Sequence, residues 1–398
     1  MKLIIIMVGL PARGKSFISN KLYKYFSWLN ITTKIFNVGN KRREVYKTNM
    51  NDFFDHSNPI YNDIRNKFAY KLYEDLVEWI SIDNNNIAIF DATNSTKEKR
   101  ENLIKMTPSH INILFLESVC NNETIIEKNI TLKSNSDDYK DMDKILAYED
   151  FKKRMAFYKS IYQEIYDNES VRYIKVIDIN AKYIMNFNNR ICKYEQLLTK
   201  CLFNTNINRK TIYLSRHGQS EYNKKALIGG NSSLSEDGVE YARLLGLYIK
   251  DNITYEYDLY SSTLTRTIET ATHINSNVKQ YKCLDEINAG VCEHMTYEEI
   301  KLKLNDIYKE RKKDKLNYRY PSGESYIDLI ERLRDFVFEI EKSKNIIIII
   351  GHQAILRVIY GYLMGISINN IPYIDIDLHT LIKLEPNNYN FNETFIQF

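Results

Sequence analysis

Two sets of residues in this chain have the types and spacing for phosphoryl chemistry. The first is Gly9-Leu-Pro-Ala-Arg-Gly14-Lys15-Ser16, a G-x-x-x-x-G-K-S run. In such a run backbone N–H groups surround a di- or triphosphate, with the lysine on the outer phosphates and the serine hydroxyl on Mg²⁺. The glycines let the backbone approach with no Cβ in the way. Asp91, which closes the apolar run Ile87-Ala-Ile-Phe90, has the type that holds or orients Mg²⁺ and positions a nucleophile. Its other reading is an N-cap for the next helix, a job that Asn94 or Ser95 can also do. The second set is Arg216-His217-Gly218 with Gly351-His352-Gln353 far downstream. Arg216 can grip phosphoryl oxygens while neutral His217 supplies a lone pair to phosphorus. Arg266 and His352 extend the clamp, and Glu286 offers an acid to protonate a leaving alcohol. Arg266 also has a plainer reading, an i,i+3 pair with Glu269.

Each set needs a strand to deliver it. Leu3-Ile-Ile-Ile-Met-Val8 reads as a buried parallel strand feeding the Gly9–Ser16 loop, and Phe17, Ile18, Leu22, Tyr25 and Phe26 as the apolar stripe of the following helix. Thr33 to Val38 predicts a second strand, with Lys41, Arg42 and Arg43 in a turn just past its end, where ligands bind in open α/β sheets. A solvated basic turn is the other reading of those cations. Phe53-Phe54 and Pro59 mark a loop, and Asp63 to Ile80, carrying Arg65, a helix. A helix starting near Ser95, a strand over Ile111–Leu116 and a polar lid-like stretch holding Lys133 and Tyr139 follow. Next come a long helix with Lys152, Arg154 and Tyr158, an edge strand over Ile174–Asp178 and a helix from Tyr183 to Cys201. Phe203 to Lys210 is the expected linker, and the pattern restarts with a strand over Thr211–Ser215. Arg266 begins a helix, Glu286 follows a short strand, and the five isoleucines Ile346–Ile350 make a buried strand. The expectation is α/β with two doubly wound domains, residues 1–207 and 208–398.

Size and composition agree with this division. At 398 residues the chain exceeds the roughly 100–200 of one domain. With 44% hydrophobic residues, 13 Gly and 6 Pro it is ordinary globular material, neither collagenous nor disordered. The 31 tyrosines are a composition bias with little functional content. A net charge of +4 suits small anionic substrates and is too dispersed for nucleic acid. The five cysteines are widely spaced, with no C-x-x-C pair, which argues against a disulfide framework or a zinc site and fits a reducing cytosol. No apolar run approaches the ~18 residues of a spanning helix. A soluble, cytoplasmic protein is therefore expected.

The motifs together resemble one family. Gly9–Ser16, Phe36-Asn-Val-Gly39, Phe90-Asp-Ala-Thr-Asn94, Arg216-His-Gly218, Ile228-Gly-Gly230, Glu286–Glu293, Thr296–Glu299, Tyr320–Tyr326 and Gly351–Arg357 occur in the order of the bifunctional 6-phosphofructo-2-kinase/fructose-2,6-bisphosphatases, over nearly the whole chain. The resemblance implies a P-loop kinase domain like adenylate kinase and a histidine-phosphatase domain like phosphoglycerate mutase. ATP with Mg²⁺ would be held by Gly9, Leu10, Pro11, Ala12, Arg13, Gly14, Lys15 and Ser16 with Tyr139, the metal at Ser16 and Asp91. Asp91 and Lys133 match the kinase's catalytic pair, and Arg42, Arg65, Thr93, Lys99, Arg154 and Tyr158 its fructose 6-phosphate contacts. Arg216, His217, Asn223, Gly229, Arg266, Glu286 and His352 match the phosphatase's catalytic and phosphate-binding set. Tyr297, Arg311, Lys315, Tyr326, Gln353 and Arg357 match its fructose 2,6-bisphosphate contacts. A phosphohistidine intermediate and a homodimer through the kinase domains are implied as well.

The chain departs from the family pattern in places. Asn40-Lys41 replaces a Glu-Tyr pair, and Lys99 stands where an arginine contacts the sugar phosphate, a point charge in place of a fork. The lid is one residue shorter before Lys133, Ala226-Leu227 replaces Gly-Arg, and control by phosphorylation of the long terminal tails found in many members is not expected. Two other readings stand beside the resemblance: a kinase of another small phosphorylated substrate joined to a general phosphomonoesterase, and a nucleotide-sensing scaffold with one inactive half. Lys15, Asp91, His217, Arg266 and Glu286 are all present, which disfavours the scaffold.

Overall fold

The computed structural model describes residues 1–45, 58–134, 139, 142–178, 181–206, 210–387 and 390–398. The loop expected at Phe53-Phe54, residues 135–138 and 140–141 of the lid-like stretch, and residues 207–209 of the linker lie outside the described residues. The chain forms two compact units, Met1–Phe26 with Ile31–Thr205, and Ser27–Asn30 with Asn206–Phe398.

The N-terminal unit is built on β1 (Leu3–Val8), β2 (Thr33–Asn37), β3 (Ile87–Asp91), β4 (Asn112–Val119), β5 (Tyr173–Ile177) and β6 (Lys182–Asn186), in the order β2-β3-β1-β4-β5-β6. β1 through β5 are parallel. Every residue of β1 is buried, as a strand covered on both faces requires. On one face Ile4, Ile6 and Val8 share a core with Leu72, Tyr73, Leu76 and Ile80 of the Pro59–Ser81 helix. Each such aliphatic side chain contributes about 1.5–3 kcal/mol on burial. The chain runs outward from β1 to β2 and later turns the other way to β4, so the crevice at the carboxyl end of β1 lies at a topological switch point.

Several local expectations need correction. Lys41, Arg42 and Arg43 lie in a helix, Val38–Val45, because the Asn37 side chain accepts from Asn40 N at 2.8 Å and starts one. Pro59 is not in a loop but at the start of a helix whose cap, Asn58, accepts from Ile60 N and Tyr61 N. Lys133 occupies the last turn of the Glu123–Ser134 helix. β5 is not the sheet edge: Tyr183-Ile-Met pairs antiparallel to it as β6. The helix expected from Tyr183 begins only at Lys193, after left-handed Asn188 and Asn189 break the chain direction, and it runs through Phe203 to Asn204.

The C-terminal unit has β7 (Ile212–Arg216), β8 (Tyr257–Ser261), β9 (Lys279–Gln280), β10 (Ile346–Gly351), β11 (Thr380–Asn387) and β12 (Asn390–Gln397), in the order β12-β11-β7-β10-β8-β9. β7, β10, β8 and β9 are parallel, so their carboxyl ends share one edge. The Glu236–Asn252 helix covers one face, placing Tyr241, Leu245 and Ile249 against Leu259, Ile348 and Ile350. The Tyr326–Lys342 helix buries Tyr326, Leu329, Ile330, Leu333, Phe336, Val337 and Ile340, a 3.6-residue stripe begun by a Ser325/Asp328 capping box. Glu286 follows a 3₁₀ turn, Lys282–Leu284, and not a strand directly.

Candidate active sites

In the N-terminal unit β1 and β3 lie side by side with Ile6 opposite Phe90, so their ends deliver the Gly9–Ser16 loop and Asp91 to one place. Gly9 has φ +136°, and a Cβ there would lie 2.5 Å from the Ser118 carbonyl oxygen. Only glycine fits. The loop is held from three elements: Asn94 Nδ2 donates to Met7 O at 2.7 Å, Asn129 Nδ2 to Ala12 O at 3.0 Å, and the Ser118 hydroxyl to Arg13 O. Gly9 N also donates to Thr93 O at 3.0 Å. Lys15, buried, donates to Leu10 O at 2.7 Å. Burial pushes its pKa down to about 7; Asp91 opposes this, and Lys133, Arg154 and Arg13 add to it. Asp91, Lys133, Arg154 and Arg13 thus all lie within electrostatic reach of Lys15, a concentration of positive charge suited to an anionic phosphate chain.

Asp91 is buried and accepts from Asn37 Nδ2 at 2.5 Å. The next helix, Lys97–Met106, is capped by Thr96, whose side chain accepts from Lys99 N, so Asp91 serves no cap and neither do Asn94 or Ser95. Among the expected sugar-phosphate contacts, Lys99 lies close to Arg65. Burial first, then Arg65, push the Lys99 pKa down to about 8. Arg154 and Tyr158 stand four residues apart on one face of the Lys144–Ile161 helix, with the Arg154 guanidinium 5.7 Å from the Phe151 ring. Arg42 is half-buried on the Val38–Val45 helix. Tyr139 is buried in a cluster with Ala12, Ile130 and Phe151, its hydroxyl donating to Asp150 at 2.8 Å.

The C-terminal unit places His217 just beyond β7 and His352 just beyond β10, adjacent strands, with His217 N donating to Gly351 O at 3.0 Å. The two imidazole centroids are 5.1 Å apart. His217 Nδ1 lies 2.6 Å from Gly218 O, which accepts its N–H and leaves the lone pair on Nε2. Arg266, 5% exposed at the start of the Thr265–Thr272 helix, donates from Nε to that Nε2 at 3.1 Å and from Nη1 to Gly230 O at 2.9 Å. The Arg266–Glu269 pair does not form; the Glu269 carboxylate accepts from Leu234 N at 2.7 Å. Burial, then Arg266, hold His217 well below the usual histidine pKa, and the buried His352 is lowered likewise by burial and Arg266. Both rings are neutral near pH 7, as a nucleophile requires. Glu286 lies within electrostatic reach of both Arg216 and Arg266 and opposes the lowering of their pKa values by burial.

Around this centre Arg216 Nη1 donates to Ile376 O at 3.0 Å. Arg357 donates from Nε to Ile374 O at 2.5 Å and from Nη1 to the Tyr326 hydroxyl at 3.2 Å. Lys315 donates to Pro372 O at 2.7 Å, its pKa pushed down to about 8 by burial and then by Arg357 and Arg311. Arg311 lies 6.0 Å from the Tyr297 ring. These residues form a second cationic group beside the histidines. Gln353 opens the Gln353–Met364 helix immediately after His352. Asn223 has a local task, its Oδ1 accepting from Ser220 N at 3.0 Å. Gly229, φ +69°, sits where a Cβ would meet the Glu293 carboxylate at 1.9 Å.

The description 6-phosphofructo-2-kinase matches residues 1–209, and the histidine phosphatase superfamily (branch 1) matches residues 212–396. The chain is 41% identical over 389 residues to a 6-phosphofructo-2-kinase/fructose-2,6-bisphosphatase of Arabidopsis thaliana, covering 96% of this chain and 52% of that one. It is 39% identical over 388 residues to 6-phosphofructo-2-kinase/fructose-2,6-bisphosphatase 1 of Mus musculus, covering 96% of this chain and 82% of the other. The chain belongs to the 6-phosphofructo-2-kinase/fructose-2,6-bisphosphatase family. It spans about half the length of the plant relative and most of the mouse one.

For a member of this family, sequence reasoning missed several supporting residues. Asn37 on Asp91, Ser118 and Asn129 on the phosphate loop, and Glu293 on Gly230 N (2.5 Å) and Ala289 N (2.7 Å) all act across the fold. Asn37 and Glu293 lie inside quoted motifs; Ser118 and Asn129 carry no signal beyond an ordinary polar residue type.

Proposed function

We propose that this chain transfers the γ-phosphoryl group of ATP to the 2-hydroxyl of fructose 6-phosphate in its N-terminal unit. In its C-terminal unit it hydrolyses the resulting fructose 2,6-bisphosphate through phospho-His217. The observation that carries the reading is that each unit keeps its own phosphoryl-handling set at a parallel sheet edge: Lys15 with Asp91, Lys133 and Arg154, and neutral His217 under Arg266.

In the kinase half Lys15 and Lys133 stabilise the transferred group, Arg154, Arg65, Lys99 and Arg42 receive the sugar phosphate, and Asp91 orients the acceptor hydroxyl. Among the described residues no three His, Cys, Asp or Glu side chains cluster into a metal cage. Ser16 and Asp91 would hold Mg²⁺: a hydroxyl and one carboxylate fit an ion that keeps waters and binds through one or two protein oxygens plus phosphates. When bound, the ion supplies charge compensation on the phosphates. In the phosphatase half His217 Nε2 attacks the phosphorus of the 2-phosphate as its P–O bond to the C2 oxygen breaks, Arg216, Arg266 and His352 hold the phosphoryl oxygens, and Glu286 gives a proton to the departing alcohol. Water then attacks phospho-His217 and releases phosphate. The same reading includes a homodimer through the N-terminal units and a cytoplasmic location, the latter supported by five free cysteines.

One assay tests the whole reading: the purified chain is incubated with Mg-ATP and fructose 6-phosphate, then assayed for an acid-labile bisphosphate. Added fructose 2,6-bisphosphate is followed separately for release of phosphate. Absence of the first product removes the kinase assignment, and absence of phosphate release removes the phosphatase assignment.

A further inference from the structure

Beyond the residues matched to the family, the C-terminal site contains a buried hydroxyl pair that nothing above employs. β8 ends at Ser261 opposite Ile350 of β10, so Ser262 and His352 leave neighbouring strand ends together. Ser262, Thr267 and His352 are each fully buried. Ser262 Oγ lies 2.8 Å from His352 Nε2 and 2.6 Å from Thr267 Oγ1, and it accepts from Leu264 N at 3.1 Å. Thr267 Oγ1 donates to Leu264 O at 2.7 Å. His352 Nδ1 has no hydrogen-bond partner among the described residues, although it is buried beside His217.

A neutral imidazole has one N–H and one lone pair. If the N–H sits on Nε2, facing Ser262, Nδ1 turns a lone pair toward incoming phosphoryl oxygens and repels them. If Ser262 donates its proton to Nε2, the imidazole N–H moves to Nδ1 and becomes a hydrogen-bond donor for the phosphoryl group. Ser262 can do this with Leu264 N–H donating to it, and the Thr267 hydroxyl can turn from Leu264 O to donate to it as well, since Leu264 O keeps Thr267 N at 3.0 Å and Ile268 N at 3.2 Å as donors. We propose that Ser262, backed by Thr267, is a positioning residue that fixes the tautomer of His352, so that a neutral ring presents Nδ1–H to the phosphoryl group. The setting keeps the ring neutral. Burial lowers the His352 pKa, and Arg266, His217, Arg216 and Arg332 lower it further, so proton placement by a hydroxyl replaces protonation of the ring. The hydrogen bond that sets a histidine's tautomer from its far nitrogen is a general device of such sites.

The inference rests on the phosphatase reading, and its first test does not depend on turnover. With ¹⁵N-histidine label and the intact chain saturated with inorganic phosphate at pH 7.5, the resonances absent from His352→Asn should report a protonated Nδ1 and a bare, hydrogen-bonded Nε2. A protonated Nε2, in a neutral or a cationic ring, overturns the proposal. In the second test Ser262→Ala should lower kcat for fructose 2,6-bisphosphate on the order of tenfold, since a buried acceptor is left without its donor, with a smaller change in KM. The same substitution made in His352→Asn should cause no further loss. An equal loss in both backgrounds means that Ser262 acts through packing alone and overturns the proposal. ATP-dependent synthesis by the N-terminal unit reports whether Ser262→Ala is folded. Failure of the parent chain to release phosphate would sink the phosphatase reading while leaving the tautomer measurement to stand or fall by itself.

Discussion

Arg266→Ala should disable the C-terminal half in two measurable ways. Arg266 is buried and donates to both His217 Nε2, the proposed nucleophile, and the carbonyl of Gly230, so on the proposed reading its guanidinium is fixed where the phosphoryl oxygens gather. Charge builds on those oxygens during transfer, and a fixed donor stabilises the transition state more than the ground state. Removing one preorganised donor of this kind costs about 3 kcal/mol, or on the order of 10²-fold in turnover. After burial, Arg266 is also the main reason that His217 stays unprotonated. Its loss therefore raises the His217 pKa and moves the acid limb of the rate profile to higher pH. The assay is steady-state phosphate release from fructose 2,6-bisphosphate between pH 5.5 and 8.5, with ATP-dependent synthesis by the N-terminal unit as the control for folding. A helix-surface pair with Glu269 would have been worth only about 0.2–0.5 kcal/mol. A change in turnover below about threefold, with the acid limb unmoved, would refute the reasoning.

Three further outcomes follow from the two sites. Lys15→Met should abolish synthesis of the bisphosphate and leave its hydrolysis within a few-fold, because Lys15 belongs to the N-terminal cluster; joint loss of both activities in a folded protein would contradict two separate sites. Bisphosphate labelled at the 2-phosphate should give an acid-labile, base-stable phosphoprotein, lost in His217→Ala; full label in that variant would move the nucleophile to His352. His217 and His352, held neutral by burial, have folded pKa values well below the ordinary 6.5, so the unfolded chain binds more protons as pH falls. Their contribution to stability is then present above pH 6.5 and lost below it, at about 1.4 kcal/mol per pH unit for each ring. Urea unfolding of the C-terminal unit between pH 7.5 and 5.5 should show this loss, and His217→Asn should reduce the slope; an unchanged slope in the variant excludes the assignment.

Much of both sites was legible because parallel strands concentrate chemistry at their carboxyl ends. Once Leu3–Val8, Ile87–Asp91, Ile212–Arg216 and Ile346–Gly351 are recognised as buried strands, the residue that ends or follows each one is fixed at the carboxyl edge of a sheet whatever the loops do. That is why Gly9, Asp91, His217 and His352 could be singled out without knowing strand order. The errors fall where the local pattern is ambiguous. Tyr183-Ile-Met is short enough to pass for a helix start, and only pairing with β5 decides that it is a strand. Lys41-Arg42-Arg43 passes for a turn until the Asn37 side chain is seen starting a helix.

The residues that support the catalytic groups were illegible for a different reason. Ser262, Glu293, Asn37 and Asn129 have side chains whose commonest use is a cap or a turn, and each instead reaches a partner distant in sequence or holds the backbone of another loop. Arg266 shows the same limit from the other side. Its sequence neighbour Glu269 offers an i,i+3 pair, yet the guanidinium turns toward a strand end 49 residues earlier, and Glu269 accepts from Leu234 N. An i,i+3 pair contributes only about 0.2–0.5 kcal/mol, whereas a cation at the buried strand end can keep His217 neutral and steady the charge that forms when phosphorus is attacked. Local spacing weighs these two partners equally, and burial separates them.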